Sequence, residues 1–297
     1  MGYVGPKVDL SYDYDHLGDS VDVIKQLADG SHPFFKQLAS AKNPMVILGS
    51  ELLQRGDSAV LFAQIQKLCE AIRAKSGCPD DWKVLNVLHR VASQVAALDL
   101  GYSAGVSNLL AAKPEVVYLM GADAGAVSRS DLPKDAFVIY QGHHGDAGAE
   151  IADCVLPGAA YTEKQATYVN MEGRAQQTIP ALSPPGMARQ DWKIIRAISE
   201  VVGETLPYDN LQEIRQRLTE VAPNLTRYGL VEEANFFKES AAYAQKSASA
   251  KAEGKIDVSL KVLEDYYMTN SISKASPTMA KCVQAVKAQK QAKYLKS

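Results

Sequence analysis

The chain has 297 residues, 46% of them hydrophobic and 22% charged, and a formal net charge of −2. That balance permits a sizeable buried core in one or two domains and offers no basic footprint for nucleic acid. No apolar run approaches the roughly 18 residues of a membrane-spanning helix, so no direct span is expected.

The four cysteines, Cys69, Cys78, Cys154 and Cys282, include no C-x-x-C pair. Local zinc and iron–sulfur motifs are therefore absent, and four free thiols in a reducing compartment are expected. The first twenty residues, MGYVGPKVDLSYDYDHLGDS, lack the basic and apolar regions of a signal peptide and the arginines of a transit peptide. Pro6 breaks the myristoylation pattern.

Residues 1–40 read as a linking segment. Tyr12, Asp13, Tyr14, Asp15 and His16 are expected as an extended stretch of solvated acids rather than a metal cluster. Residues 21–30 carry apolar positions at helical spacing, with Ser20 as cap and Gly30 as stop. From residue 43 the pattern becomes α/β. Pro44 precedes a short strand, MVILGS, that ends at Gly49. A helix over about 57–75 aligns Val60, Ala63, Leu68 and Ile72 before Gly77. A strand follows over 82–88, a helical or turn-like stretch over 91–98 and a short helix over 108–113 stopped by Pro114. Residues 115–120 form a third strand closed by Gly121, and Phe137 to Tyr140 a fourth.

Apolar strands alternating with helices at this spacing predict an α/β fold with a doubly wound, mostly parallel sheet. Ligands in such sheets sit beyond the carboxyl ends of the strands. Those ends carry Gly49, Gly121 and Asp123, and Gly142, His143 and His144. A long polar loop follows over about 140–177. Two helices come next: one opening at Asp191, with Trp192, Ile195, Ile198 and Val202 as its buried stripe, the other over about 209–221. Both are expected against the sheet. Beyond residue 225 the periodicity weakens into an irregular tail. Residues 241–255 read as a mobile linker. A modest apolar cluster from Leu260 to Met268 precedes a lysine-rich end.

Gly121-Ala122-Asp123-Ala124-Gly125 would let a backbone approach a phosphate or pterin, but it lacks the full dinucleotide fingerprint, and a tight turn without ligand is the simpler reading. His143, His144 and Asp146 are read as polar contacts in a packed loop or at a subunit interface, with no metal expected. Glu163, Lys164, Asn170, Glu172 and Arg174 suit either proton exchange and anion clamping or a salt-bridge network that holds the loop down. No catalytic set has persuasive spacing. Cys154, in an apolar run, is expected to be a buried, inert thiol.

The run Ala152-Asp153-Cys154-Val155-Leu156-Pro157, followed by Glu163-Lys164, Thr167 and Asn170-x-Glu172-Gly173-Arg174-x-Gln176, resembles the signature loop of the molybdopterin oxidoreductase superfamily. The glycine that usually precedes the threonine is Ala166 here. Further segments, Tyr12 to Ser20, Trp82 to Leu100, Leu132 to Asp135, Tyr140 to Asp146 and Tyr267 to Val283, resemble one branch of it, the 75 kDa iron–sulfur subunit family of mitochondrial respiratory complex I (NADH–ubiquinone oxidoreductase). The likeness covers nearly the whole chain and corresponds to roughly the carboxy-terminal two-fifths of such a subunit.

The resemblance implies a linking segment over 1–40, a molybdopterin-oxidoreductase-like α/β domain over 41–225 and a family-specific tail over 226–297. It implies a scaffold rather than a catalyst. The [2Fe–2S] and [4Fe–4S] clusters would be carried by the parent subunit's amino-terminal part, with no cofactor bound by this chain. Asp153, Pro157, Glu163, Lys164, Thr167, Asn170, Glu172, Gly173, Arg174 and Gln176 would form a structural signature loop. Gly49, Gly121, Asp123, Gly142, His143 and His144 would be vestigial cofactor-edge turns. The expected partners are other matrix-arm subunits, and the expected location is the matrix side of the mitochondrial inner membrane. A pterin-binding oxidoreductase fragment and a nucleotide-binding α/β module are the alternatives.

Overall fold

The computed structural model describes residues 1–89, 91, 93–102, 105–122, 127–145, 147–232, 251–256, 267–269 and 271–294. The chain divides into two compact units. Unit 1 comprises Met1–Val95, Asn170–Arg174 and Val231–Leu260; unit 2 comprises Ala96–Val169, Ala175–Leu230 and Lys261–Ser297.

Unit 1 opens with two short strands, β1 (Gly2–Val4) and β2 (Asp15–Gly18), paired in parallel. Helices α1 (Val21–Asp29) and α2 (Phe35–Ser40) follow, then β3 (Val46–Gly49), the long helix α3 (Ser58–Ser76) and β4 (Leu85–Leu88). β3 and β4 pair in parallel, Val46 opposite Leu85 through Gly49 opposite Leu88. The boundaries of α1 follow from its caps: the Ser20 side chain accepts from the Asp22 amide, and Gly30 stops the helix in the left-handed conformation at φ 80°.

The core of unit 1 is a cluster around Leu61, Ile72 and Cys69, fully buried on α3, with Val21, Ile24 and Leu27 of α1 and Phe35 of α2 packed against them. This corrects the linking-segment expectation for residues 1–40. The segment supplies four elements and five core side chains, because its helical apolar stripe finds the opposing stripe of α3. The stretch before α1 is tied as well. The Tyr14 hydroxyl donates to the Val8 carbonyl and accepts from its amide, and His16 Nε2 lies 2.8 Å from the Gly5 carbonyl. Residues 251–256, within and just beyond the expected mobile linker, form an antiparallel bridge from Lys255 to Ser20 and bury Ile256. The rest of that linker, residues 241–250, lies outside the described residues, as do Leu260, Val262, Leu263 and Tyr266 of the expected tail cluster.

Helix α4 (Gln94–Asp99) crosses the division. Unit 2 then contains α5 (Val106–Ala111), β5 (Val116–Met120), β6 (Phe137–Gly142), α6 (Ala147–Glu150) and β7 (Cys154–Pro157). β5, β6 and β7 form one parallel sheet in sequence order. The hairpin β8 (Thr167–Val169) and β9 (Ala175–Gln177) follows, then α7 (Asp191–Val201) and α8 (Leu211–Val221). Two helices of the tail, α9 (Ser271–Lys274) and α10 (Pro277–Tyr294), complete it.

The predicted mixed α/β architecture with parallel pairing is thus present. Among the described residues the parallel strands form separate small sheets of two, two and three strands. The β5–β6–β7 sheet buries Val117, Leu119, Val138 and Tyr140 on one face under Leu132, Val127 and Ala136. The other face leaves Val116, Met120 and Phe137 about half exposed. The expected buried stripe of α7 also differs. Its buried residue is Ser199, while Ile195 and Val202 are exposed. Ser199 explains the difference: its hydroxyl donates to the Arg196 carbonyl and accepts from the Leu206 amide, so the inner side of α7 packs on the loop that follows it. Helix α8 buries no residue and packs chiefly on the turn at Pro223–Thr226.

Candidate functional site

The carboxyl ends of β5, β6 and β7 are where a ligand of a parallel sheet would sit. A continuous polar chain occupies that edge in unit 2. The Tyr118 hydroxyl donates to the Gln141 side-chain oxygen. Gln141, 1% exposed, donates from Nε2 to Asp191 Oδ1 at 2.8 Å. Asp191 Oδ2 pairs with Lys164 Nζ at 2.5 Å. Burial pushes the Tyr118 phenol up from its ordinary value, and the Asp191 carboxylate and Cys154 add to the effect. A buried amide in an apolar strand is costly unless both ends are met, and here both are. The Gly158 backbone lies so close that a Cβ there would stand 3.2 Å from Asp191 Oδ1 and 3.4 Å from the Gly142 backbone.

Lys164 was expected as an internal tie, and its ion-pair partner is Asp191, the first residue of α7. Glu163 is tied more locally, accepting from the Ala160 amide at 3.0 Å. Gln141 and Tyr118 are functional neighbours that the sequence reading passed over. The available signal was a glutamine at the end of an otherwise apolar strand, Phe137-Val138-Ile139-Tyr140-Gln141.

Asn170, Glu172, Gly173 and Arg174 form the hairpin turn between β8 and β9. Asn170 Oδ1 accepts from the Glu172 and Arg174 amides, both at 3.0 Å, and its Nδ2 donates to Glu172 at 3.3 Å. Arg174 Nε donates to the same Glu172 carboxylate at 3.3 Å. These bonds, Asn170's first, hold the Glu172 carboxyl below its usual range. Gly173 adopts φ 81°, the left-handed region the turn requires. Thr167 Oγ1 lies 3.3 Å from the Tyr228 hydroxyl, and Gln176 is exposed on β9.

Asp153 sits at the opposite, amino edge of the sheet. Its carboxylate accepts from the Val138 amide at 2.8 Å and pairs with Arg129 at 3.4 Å, while its own amide donates to the Val138 carbonyl. It fixes the start of β7 against β6. Pro157 closes β7 and accepts from the Arg189 amide. Cys154, expected to be buried, is only partly so.

Gly121 donates to the Gln141 carbonyl and has open space where a side chain would begin. Gly142 follows Gln141 and accepts from the Gly158 amide. His143 and His144 are exposed, with ring centroids 5.6 Å apart, and His144 Nδ1 lies 3.2 Å from the carbonyl of His143. Gly49 belongs to unit 1. Asp123 and Asp146 lie outside the described residues. Among the described residues no group of three histidine, cysteine, aspartate or glutamate side chains is placed to hold a metal ion. Among the described residues, Tyr118, Gln141, Asp191 and Lys164 at this edge bond one another.

The molybdopterin oxidoreductase family model matches residues 1–201, and a second family model, for the carboxy-terminal region of an NADH-ubiquinone oxidoreductase subunit, matches residues 230–282. The chain is 42% identical, over 97% of its own length, to the mitochondrial NADH-ubiquinone oxidoreductase 78 kDa subunit of Neurospora crassa. It is 42% identical over 94% of its length to the NADH-ubiquinone oxidoreductase 75 kDa subunit of Reclinomonas americana, and 43% identical over 95% to the mitochondrial NADH dehydrogenase [ubiquinone] iron-sulfur protein 1 of Solanum tuberosum. It spans 38%, 39% and 37% of those three proteins. The chain, with its signature run from Asp153 to Gln176, belongs to the molybdopterin oxidoreductase family.

Proposed function

We propose that this chain is a structural portion of the large iron–sulfur subunit of mitochondrial complex I, a rigid body that neither oxidises NADH nor carries electrons itself. The observation that carries the reading is the 42% identity maintained across 97% of the chain to the 78 kDa subunit. The sheet edge supports it. At the carboxyl ends of β5 to β7, Tyr118, Gln141, Asp191 and Lys164 bond one another. Asp153, Glu163, Asn170, Glu172 and Arg174 serve as ties within the loop, and Thr167 and Gln176 serve its hairpin.

In this reading the iron–sulfur clusters reside elsewhere in the subunit, and the partners are other matrix-arm subunits on the matrix side of the inner membrane. No described helix is long and apolar enough to cross a membrane. We also propose a division near residue 225 between the α/β body and a family-specific tail. The two family matches, ending at 201 and resuming at 230, support it.

The test is a native gel of mitochondrial membranes, resolved in a denaturing second dimension and probed with an antibody against residues 226–297. Signal in the complex I band is the expected result. Signal confined to free protein outside that band would refute the scaffold reading, and assays for bound pterin and nucleotide would then decide between the alternatives.

A further inference from the structure

Residues 251–256 of the tail belong to unit 1, although 200 positions separate Lys255 from its partner Arg55. Their contacts gather at the starts of α1 and α3. The Val21 amide donates to the Gly254 carbonyl at 3.0 Å, and the Ile256 amide donates to the Asp19 carbonyl at 2.6 Å. Arg55 Nη1 donates to the Lys255 carbonyl at 2.9 Å. The same guanidinium holds both carboxylate oxygens of Asp57, the residue just before α3, at 2.8 Å.

These contacts meet needs that α1 and α3 cannot meet alone. Val21 is the first residue of α1, so its amide is one of the four that no carbonyl of the helix can reach. The Ser20 side chain serves the Asp22 amide, and the tail supplies the acceptor for Val21. Arg55 divides its donors between the start of α3 and a tail carbonyl, so one side chain ties the two together. Ile256, 4% exposed, shares a buried cluster with Val21 and Ile24 of α1 and Leu61 and Ile65 of α3, and Ala252 packs against that cluster. The ion pair of Lys255 with Asp19, at 3.0 Å, is 75% and 40% exposed and contributes little.

We propose that residues 252–256 are a strap, a piece of the tail that locks α1 onto α3 and opens as one unit together with the first turn of α1. The main-chain bonds fix its register across Ser20, Arg55 buckles it to α3, and Ile256 plugs the core that the two helices build. A tail that merely rested on the surface would bury no isoleucine and serve no helix amide. The strap also joins two regions that carry separate family matches, since residues within 230–282 supply backbone acceptors and a core side chain to residues within 1–201. Its opening is smaller than unfolding of unit 1. A few bonds and one buried side chain hold the strap, whereas α3 buries six residues along its length.

The test is amide exchange on the full chain in low urea, resolved to single residues. Val21 and Ile256 report on the strap, Lys25 on the first turn of α1, and Ile65 and Leu68 on α3. In the unmodified chain Val21, Lys25 and Ile256 should share one opening, with one urea dependence and protection about ten-fold or more below that of Ile65 and Leu68. Gly254→Ala strains the strap alone, because φ 89° disfavours any Cβ and nothing lies within 4 Å of an added one. It should lower protection about five-fold at Val21, Lys25 and Ile256 and leave Ile65 and Leu68 unchanged. Ile256→Ala should lower the same three about ten-fold or more. Three results overturn the proposal. Separate openings at Ile256 and Lys25 mean that the segment rests on α1 without locking it. One opening shared by all five amides means an inseparable part of the core rather than a strap. Loss of protection in Gly254→Ala that stops short of Lys25 means that α1 is held without the tail. The unmodified chain and Gly254→Ala decide the matter even if Ile256→Ala fails to fold.

Discussion

Lys164→Met should uncouple α7 from the signature loop, and the cost can be worked from the geometry. Lys164 Nζ stands 2.5 Å from Asp191 Oδ2, with the two side chains 21% and 22% exposed. An exposed ion pair contributes about 0–1 kcal/mol, and breaking a fully buried one costs about 3–5 kcal/mol. At one-fifth exposure the expected loss is about 2 kcal/mol. It comes mainly from leaving the Asp191 carboxylate with Gln141 as its remaining partner. Asp191→Asn keeps an acceptor for Gln141 and frees Lys164 to turn to water, so about 1 kcal/mol is expected. The double variant should reveal a coupling of about 1–2 kcal/mol.

Each unit holds one tryptophan, Trp82 in unit 1 and Trp192 in unit 2. Urea titrations in a Trp82→Phe background therefore report on unit 2 through Trp192, the residue after Asp191. Because the pair is mostly shielded, the coupling should persist at about 0.5 M salt. A coupling below about 0.3 kcal/mol, or single costs that simply add, would refute the claim that the edge is a self-satisfied network.

Leu61→Ala, at a site with no exposure in the unit 1 core, should cost about 3 kcal/mol in urea titrations read at Trp82; a cost under about 1 kcal/mol would show that the cluster is not tightly packed. Gly173→Ala should cost about 1 kcal/mol in urea titrations followed by circular dichroism, although nothing lies within 4 Å of the added methyl, because φ 81° disfavours any Cβ. An unchanged midpoint would remove the left-handed turn. Burial first, with Glu70 adding, pushes the Cys69 thiol up from 9.0 to about 12. Timed alkylation with mass spectrometry should label Cys154 and Cys282 well before Cys69 and Cys78. The same shift has a defined sign. The unfolded thiol releases its proton first, so the stability Cys69 contributes is complete below about pH 9 and is lost as pH rises towards 12. Comparison with Cys69→Ala between pH 8 and 11 checks it, and parallel profiles would refute it.

The alternation of short apolar runs with helical stripes announced the parallel pairing of β3 with β4 and of β5 with β6, because parallel neighbours need a crossover long enough to hold a helix. Ser20 and Gly30 bounded α1 correctly for a local reason: caps act within one turn and need no tertiary context. The failures were of long range. Val21, Ile24 and Leu27 read as part of a linker because their partner stripe, on α3, lies about forty residues away. The stripe of α7 misled for the converse reason: its periodicity was real, but Ser199 found hydrogen bonds in the following loop and set which side faces inward. Gln141 was legible only as an oddity, since nothing local says that Tyr118 and Asp191 will meet its two ends.

The signature loop shows how family likeness and chemistry separate. Asp153, Lys164, Asn170, Glu172 and Arg174 are residue types that could move protons or clamp anions, yet three destinations divide them. Asp153 binds the amino edge of the sheet, Lys164 reaches α7 at the carboxyl edge, and the other three close a hairpin turn on themselves. A catalytic set must converge within hydrogen-bond reach of one reacting atom. These residues diverge, and each is satisfied where it lies. The same units keep apolar surface in reserve, Met45 and Ile47 in unit 1 and Val116, Met120 and Phe137 in unit 2. Polar groups bonded to one another, with apolar strand faces turned outward, are what the proposed scaffold role requires, since such faces are the surface that neighbouring subunits would cover.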